Sequence, residues 1–199
     1  MFILMKTRKY LWIIFTFLVM LSACTNNRRV VENPTSIDPK TNATDLEKME
    51  LSETTNSKAG FTENAVPKVL ADKDVFPYII NKFKGKPILL DIWATWCGPC
   101  KKANEEMKPL KEELSGKDIV YVYVAGDNSP LQIWKNMIPD LHGEHFRLTA
   151  NQWSYMIENF GIEGVPTYFF IDREGNIIEK VVGYYGVDKM KENLLKILD

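Results

Sequence analysis

A strand-like run, Pro87-Ile88-Leu89-Leu90-Asp91-Ile92-Trp93, is followed after two residues by Trp96-Cys97-Gly98-Pro99-Cys100. No other feature of the chain restricts its fold as much. A nearly unbroken apolar run suits a strand covered on both faces, which requires packed layers above and below it. From Gly98 to Leu114 the apolar residues Ala103, Met107, Leu110 and Leu114 recur on one helical stripe, with Pro109 expected to kink the helix and Gly116 to end it. The two cysteines therefore sit at a strand-to-helix turn.

Cysteines three apart at a helix start come within disulfide range. Cys97 is nearest to the unpaired N–H groups and the positive end of the helix dipole, so its thiolate is favoured and its pKa is expected one to several units below about 8.5. Cys97 is thus the expected attacking sulfur, held accessible, and Cys100, one turn deeper, the resolving sulfur. Two other readings stay open. A zinc site needs three or four ligands, but there is no second cysteine pair, and His142 and His145 in His-Gly-Glu-His are too close for finger spacing. A purely structural disulfide closing so small a loop would stabilise little. No metal and no cofactor is expected.

The rest of the globular part alternates. Val75, Phe76, Ile79, Ile80 and Phe83 give Asp74 to Phe83 a helical spacing, and Asp118 to Ala125 is a β-branched and aromatic strand. Ser129-Pro130 reads as an N-cap and first helical residue of a helix to Met137, and Gln152 to Phe160 as another helix closed by Gly161. Thr167 to Ile171 and Ile177 to Val182 read as strands joined by a hairpin loop, Asp172 to Asn176, and Asp188 as the cap of a last amphipathic helix. A short βαβ connection implies parallel strands and a tight hairpin antiparallel ones. The expected class is α/β, a mixed central sheet flanked by helices, with a helical insertion over 127–161 between the second and third core strands. Trp134 and Trp153 in that insertion are expected to pack against the sheet.

The other end of the chain is of a different kind. Lys6, Arg8 and Lys9 precede an apolar run from Tyr10 to Leu21 broken only by Thr16, the pattern of a secretory leader. Twelve residues cannot cross a bilayer core of about 30 Å. Leu21-Ser22-Ala23-Cys24 resembles the bacterial lipobox, which implies lipidation of Cys24, membrane attachment, and a domain on the periplasmic or other extracytoplasmic side of a bacterial envelope. A membrane anchor ending by chance in a cysteine is the alternative, and either Met1 or Met5 could be the start. The expected divisions are 1–23 as signal peptide, 24–60 as lipidated cysteine and flexible linker, and 61–199 as the folded domain. The linker, rich in Asn, Thr, Ser and charge, would span on the order of 30 to 36 Å. The chain carries a formal charge of −1, and losing the leader's three positive charges takes it to −4. A nucleic-acid binder usually shows a basic excess, so none is expected as partner.

Asp91-Ile92-Trp93-Ala94-Thr95-Trp96-Cys97-Gly98-Pro99-Cys100-Lys101 resembles the active-site segment of the thioredoxins, and the order of elements over about residues 70 to 199 resembles the thioredoxin fold. With its lipoprotein signal, linker and insertion the chain looks most like the extracytoplasmic thioredoxin-like proteins of the TlpA and ResA group. The resemblance implies several things. Gly164-Val165-Pro166-Thr167 matches the segment that holds a cis proline opposite the cysteines, an ordinary trans proline being the alternative; Val165 would offer its backbone to an extended substrate peptide. Trp96, Gly98, Pro99, Val165 and Pro166 are then the expected substrate-binding residues. Asp91 matches the buried acid that exchanges a proton with the resolving cysteine, although a merely structural acid is also open. Thioredoxins commonly place a lysine on the next strand, where this chain offers Tyr123 and no cation. Glu163 would be at most an electrostatic neighbour. The implied activity is a thiol-disulfide oxidoreductase, most like a reductase of oxidised proteins recharged by a membrane thiol-disulfide donor. An oxidase or isomerase using the same residues, or a non-catalytic binding lipoprotein, are the alternatives.

Overall fold

The computed structural model describes residues 56–58 and 60–198. The expected leader, Cys24 and the linker up to residue 55 lie outside the described residues. The sheet begins inside the last stretch of the expected linker, with β1 (Asn56–Lys58) pairing antiparallel with β2 (Phe61–Asn64). Then come α1 (Val75–Asn81), β3 (Ile88–Trp93), α2 (Gly98–Glu113), β4 (Val120–Ala125) and α3 (Leu131–Met137). β5 (Gly143–Arg147), α4 (Ala150–Asn159), β6 (Thr167–Ile171), β7 (Ile177–Val182) and α5 (Val187–Lys196) complete the order. The seven strands form one mixed sheet in the order β1-β2-β5-β4-β3-β6-β7.

β3 lies inside that sheet, parallel to β4 and antiparallel to β6, and all six of its residues are buried. Alternation sorts them by face. Ile88, Leu90 and Ile92 pack with Phe76, Ile79 and Ile80 of α1 and Met156 of α4. Leu89 faces the other way, against Met107 and Leu110 of α2 and Met190 and Leu194 of α5. Asp91, between Leu89 and Trp93, shares that second face. The continuous apolar run thus follows from helices on both sides.

Several expected details differ. The 127–161 segment is not wholly helical: Gly143–Arg147 enters the sheet as β5, parallel to both β4 and β2. Only a glycine suits its first position, where φ is +147° and a Cβ would meet the Tyr121 backbone. Ser129 does not cap α3, whose N-cap is Pro130; its hydroxyl instead accepts from the backbone N–H of Thr95 at 3.1 Å. α4 starts earlier than the apolar pattern suggests, because Thr149 and Gln152 cap each other's backbone in a capping box. α5 begins after Gly186 at φ +93°, and Asp188 falls within its first turn rather than at its cap. α2 continues through Pro109 to Glu113. Trp134 is fully buried. Among the described residues no helix is long and apolar enough to cross a membrane.

Candidate active site

Cys97 is the N-cap of α2, in extended conformation, with Pro99 in the first turn where its missing N–H costs nothing. The sulfurs of Cys97 and Cys100 are joined in a disulfide with Cα atoms 5.3 Å apart. The backbone N–H of Cys100 donates to Cys97 Sγ at 3.0 Å. One of the orphan donors of the helix start is therefore aimed at the first sulfur.

The antiparallel register of β3 and β6 sets Thr167 opposite Ile92, which brings the residues before Thr167 to the end of β3 from which the cysteines emerge. The Val165–Pro166 peptide is cis. The Val165 carbonyl oxygen lies 3.5 Å from Cys97 Sγ. This lip accounts for a departure from expectation: Cys97 is not openly accessible but only 3% exposed, and Cys100 is fully buried. Trp96, Gly98 and Pro99 around them are exposed, Trp96 at 60%. The oxidised pair is a recessed spot inside an exposed rim. Glu163 is exposed two residues before the lip.

Tyr123, packed in one cluster with Cys97 and Cys100, belongs to a polar row. Paired registers line up Glu63, His145, Tyr123, Asp91 and Tyr168 on five adjacent strands, and residues directly opposite one another share a face. Asp91 is buried, and its Oδ1 has no hydrogen-bond partner among the described residues. Burial raises its carboxyl from 3.8 to about 7, with the Lys111 ammonium working against the rise. Burial likewise lowers Lys111 to about 8, opposed by Asp91. This cation comes from the fourth turn of α2, not from the next strand. It donates to the Tyr123 hydroxyl and lies 4.8 Å from the ring centroids of both Tyr121 and Tyr123. The sequence does carry its signal: Lys111 follows Met107 by four residues and so lies beside the buried stripe of its helix.

His145 is fully buried, stacked on Tyr123 at 4.8 Å, with Nε2 2.6 Å from the Leu141 carbonyl oxygen. Burial drives its pKa down to about 4. It is a neutral packing group at neutral pH, and among the described residues no set of three His, Cys, Asp or Glu side chains could hold a metal ion.

An arrangement of this kind suits disulfide exchange: two sulfurs at a helix mouth, the first with a backbone donor aimed at it. The sequence profile of the redoxin family matches residues 41–198. The thiol-disulfide oxidoreductase ResA of Bacillus thuringiensis is 28% identical over 118 residues, which are 59% of this chain and 67% of that protein. The thiol:disulfide interchange protein DsbE of Pseudomonas aeruginosa is 30% identical over 111 residues, 56% of this chain and 59% of its own. Among solved structures, a Bacteroides vulgatus protein assigned to the thiol-disulfide oxidoreductases superposes with a TM-score of 0.50 at 32% identity, covering 60% of this chain and 78% of that one.

Proposed function

This chain belongs to the redoxin family, and we propose that within that family it works as a reductase of protein disulfides, tethered to a membrane through lipid on Cys24 and facing away from the cytoplasm. Its coarser activity is that of a thiol-disulfide oxidoreductase. One observation carries the reading: the Cys97–Cys100 pair at the mouth of α2, with the Cys100 N–H on Cys97 Sγ.

In the reduced protein the Cys97 thiolate attacks one sulfur of a substrate disulfide, forming a mixed disulfide and expelling the other substrate sulfur as thiolate. Cys100 then gives its proton to the Asp91 carboxylate, attacks the Cys97 sulfur and releases the second substrate thiolate. Asp91 returns its proton, solvent supplies one more, and two electrons have moved from the protein dithiol to the substrate. A dithiol donor protein at the membrane restores the pair by the same exchange in reverse. Trp96, Gly98 and Pro99 form the rim on which the substrate lands, and the Val165–Pro166 lip aligns its backbone. Cys97 is only 3% exposed, so an extended, unfolded segment reaches it better than a folded surface. The tether rests on Lys6 to Leu21 and the Leu-Ser-Ala-Cys run, and fits a reductase that meets its donor at the bilayer.

The test is insulin reduction with a dithiol supply. Wild type accelerates it, Cys97→Ser abolishes it, and Cys100→Ser accumulates covalent complexes that a thiol reagent releases. A wild type without turnover, or a Cys100→Ser variant that captures nothing in cells, rejects the reading.

A further inference from the structure

β7 is an edge strand, with β6 on one side and no strand on the other among the described residues. The Gly183 N–H donates to the carbonyl oxygen of Pro166 at 2.7 Å, and residue pairs of an antiparallel ladder alternate between bonded and non-bonded. Gly183, Val181 and Glu179 therefore turn their N–H and C=O groups toward β6. Lys180 and Val182 turn theirs outward, and among the described residues no backbone group outside the ladder is bonded to them.

An open trough of about 620 Å³ follows this stretch, lined by Lys180, Val181, Val182, Tyr185 and Lys189. Tyr185 is 72% exposed, and its ring lies over Gly183, where a Cβ would come within 3.7 Å of it. Because Gly183 is bonded to Pro166, the trough begins at the lip that covers Cys97. Lys180 gives it charge. Its ammonium donates to the carbonyl oxygens of Phe160 and Gly161, at 3.3 and 3.0 Å, and among the described residues no carboxylate pairs with it. Lys189, by contrast, is paired with Glu192.

Resting on the reductase reading above, we propose that the free edge of β7 is a second substrate subsite. It takes an extended segment C-terminal to the substrate's reactive cysteine, carrying an acidic side chain, as a strand antiparallel to β7. The guest exchanges two backbone hydrogen bonds with Val182 and two with Lys180, and sets its acid across from the Lys180 ammonium. Three strand spacings of about 4.8 Å separate the guest from β3, a distance of about 14 Å that about four extended residues cross. The cysteine is thus held at the lip while the chain beyond it is held at the edge.

The experiment uses the full chain, reduced, and two peptides whose cysteine is linked by a disulfide to thionitrobenzoate. Attack by Cys97 on the peptide sulfur expels the coloured thiolate, and Cys100 then frees the peptide as thiol. The short peptide ends after a four-residue Ser-Gly spacer behind its cysteine; the long one continues with Thr-Val-Glu. The long peptide should react about tenfold faster at low concentration. An N-methyl group on the Thr or Glu nitrogen should remove that advantage, whereas one on the Val nitrogen, which points away from β7, should keep it. Val182→Pro, which deletes an outward N–H at an edge where proline is tolerated, should bring the long peptide down toward the short one. Equal rates for the two peptides, or N-methylation that acts alike at all three positions, overturn the inference and leave the reductase reading standing. A wild-type dimer in sedimentation that Val182→Pro dissolves gives the edge to a second copy and overturns it too. Release of thiolate from neither peptide removes the reductase reading, and the inference with it.

Discussion

The N–H of Cys100 reaches back to the Sγ of Cys97, 3.0 Å away, so the first turn of α2 serves the sulfur that precedes it. A hydrogen bond from an amide strengthens as its acceptor becomes charged. On reduction, the sulfur that gains from this donor is Cys97. With iodoacetamide at pH 7 the reduced protein should therefore label at Cys97 about tenfold or more faster than at Cys100, as read by mass spectrometry of the peptide spanning both. Equal labelling would assign the attack to neither sulfur in particular.

The loop over 126–130 is fixed to the site by a side chain. Ser129 is fully buried, accepts from the Thr95 N–H beside Trp96, and its carbonyl accepts from Arg147 Nε at 3.1 Å. Ser129→Ala leaves the Thr95 N–H buried without a partner, which costs about 1 to 3 kcal/mol. Urea unfolding of the oxidised protein measures it. A loss below about 0.5 kcal/mol would mean that Thr95 finds water instead.

That bond also shows what could and could not be read beforehand. A serine before a proline is the usual sign of a helix start, and α3 does start there, yet the hydroxyl is used across 34 residues of sequence by a long-range contact that no local pattern encodes. β3, β6 and β7 were legible because their apolar runs are local; β5 was not, since Gly-Glu-His-Phe-Arg has little alternation and is a strand only because β2 and β4 hold it on either side. Its histidine is packed among aromatic rings, surroundings that the local sequence does not encode. The cysteines, Asp91 and the Val-Pro segment are legible because they lie in local motifs. Lys111 belongs to no such motif: its ammonium reaches Tyr121 and Tyr123 from the helix above and not from the neighbouring strand. The covering of Cys97 is not legible locally, because the lip comes from a residue 68 positions away.

Gly126, at the end of β4, has Trp153 of α4 against its α-carbon. A Cβ there would come within 2.6 Å of the indole Cγ and closer still to Cδ2. Gly126→Ala should destabilise by about 1 to 3 kcal/mol through overpacking. Adding Trp153→Leu should recover part of that loss, since the two sites share one contact. An alanine as stable as glycine would show that the indole moves aside freely.

Two groups in the polar row pull the pH dependence of stability in opposite directions. Asp91 is raised from 3.8 to about 7, so between about pH 4 and 7 the folded state binds more protons than the unfolded one and stability falls as pH rises. His145 is lowered from 6.5 to about 4, so over about pH 4 to 6.5 the unfolded state binds more and stability rises with pH. Each slope approaches about 1.4 kcal/mol per pH unit in the middle of its window, and the windows overlap. Asp172 and Glu192 are held below the usual carboxylate range, by hydrogen bonds around the turn and by Lys189 and Lys196 respectively, so they act at more acidic pH. The opposing effects of Asp91 and His145 should therefore cancel in wild type between about pH 4.5 and 6. Asp91→Asn should unmask the histidine, giving an oxidised protein whose stability climbs across that interval. His145→Gln should do the reverse, with stability declining as pH rises, and the double variant should return to the wild-type slope. Urea unfolding at three pH values decides it: single variants that keep the wild-type slope would mean that neither group is as desolvated when folded as its place in the sheet requires.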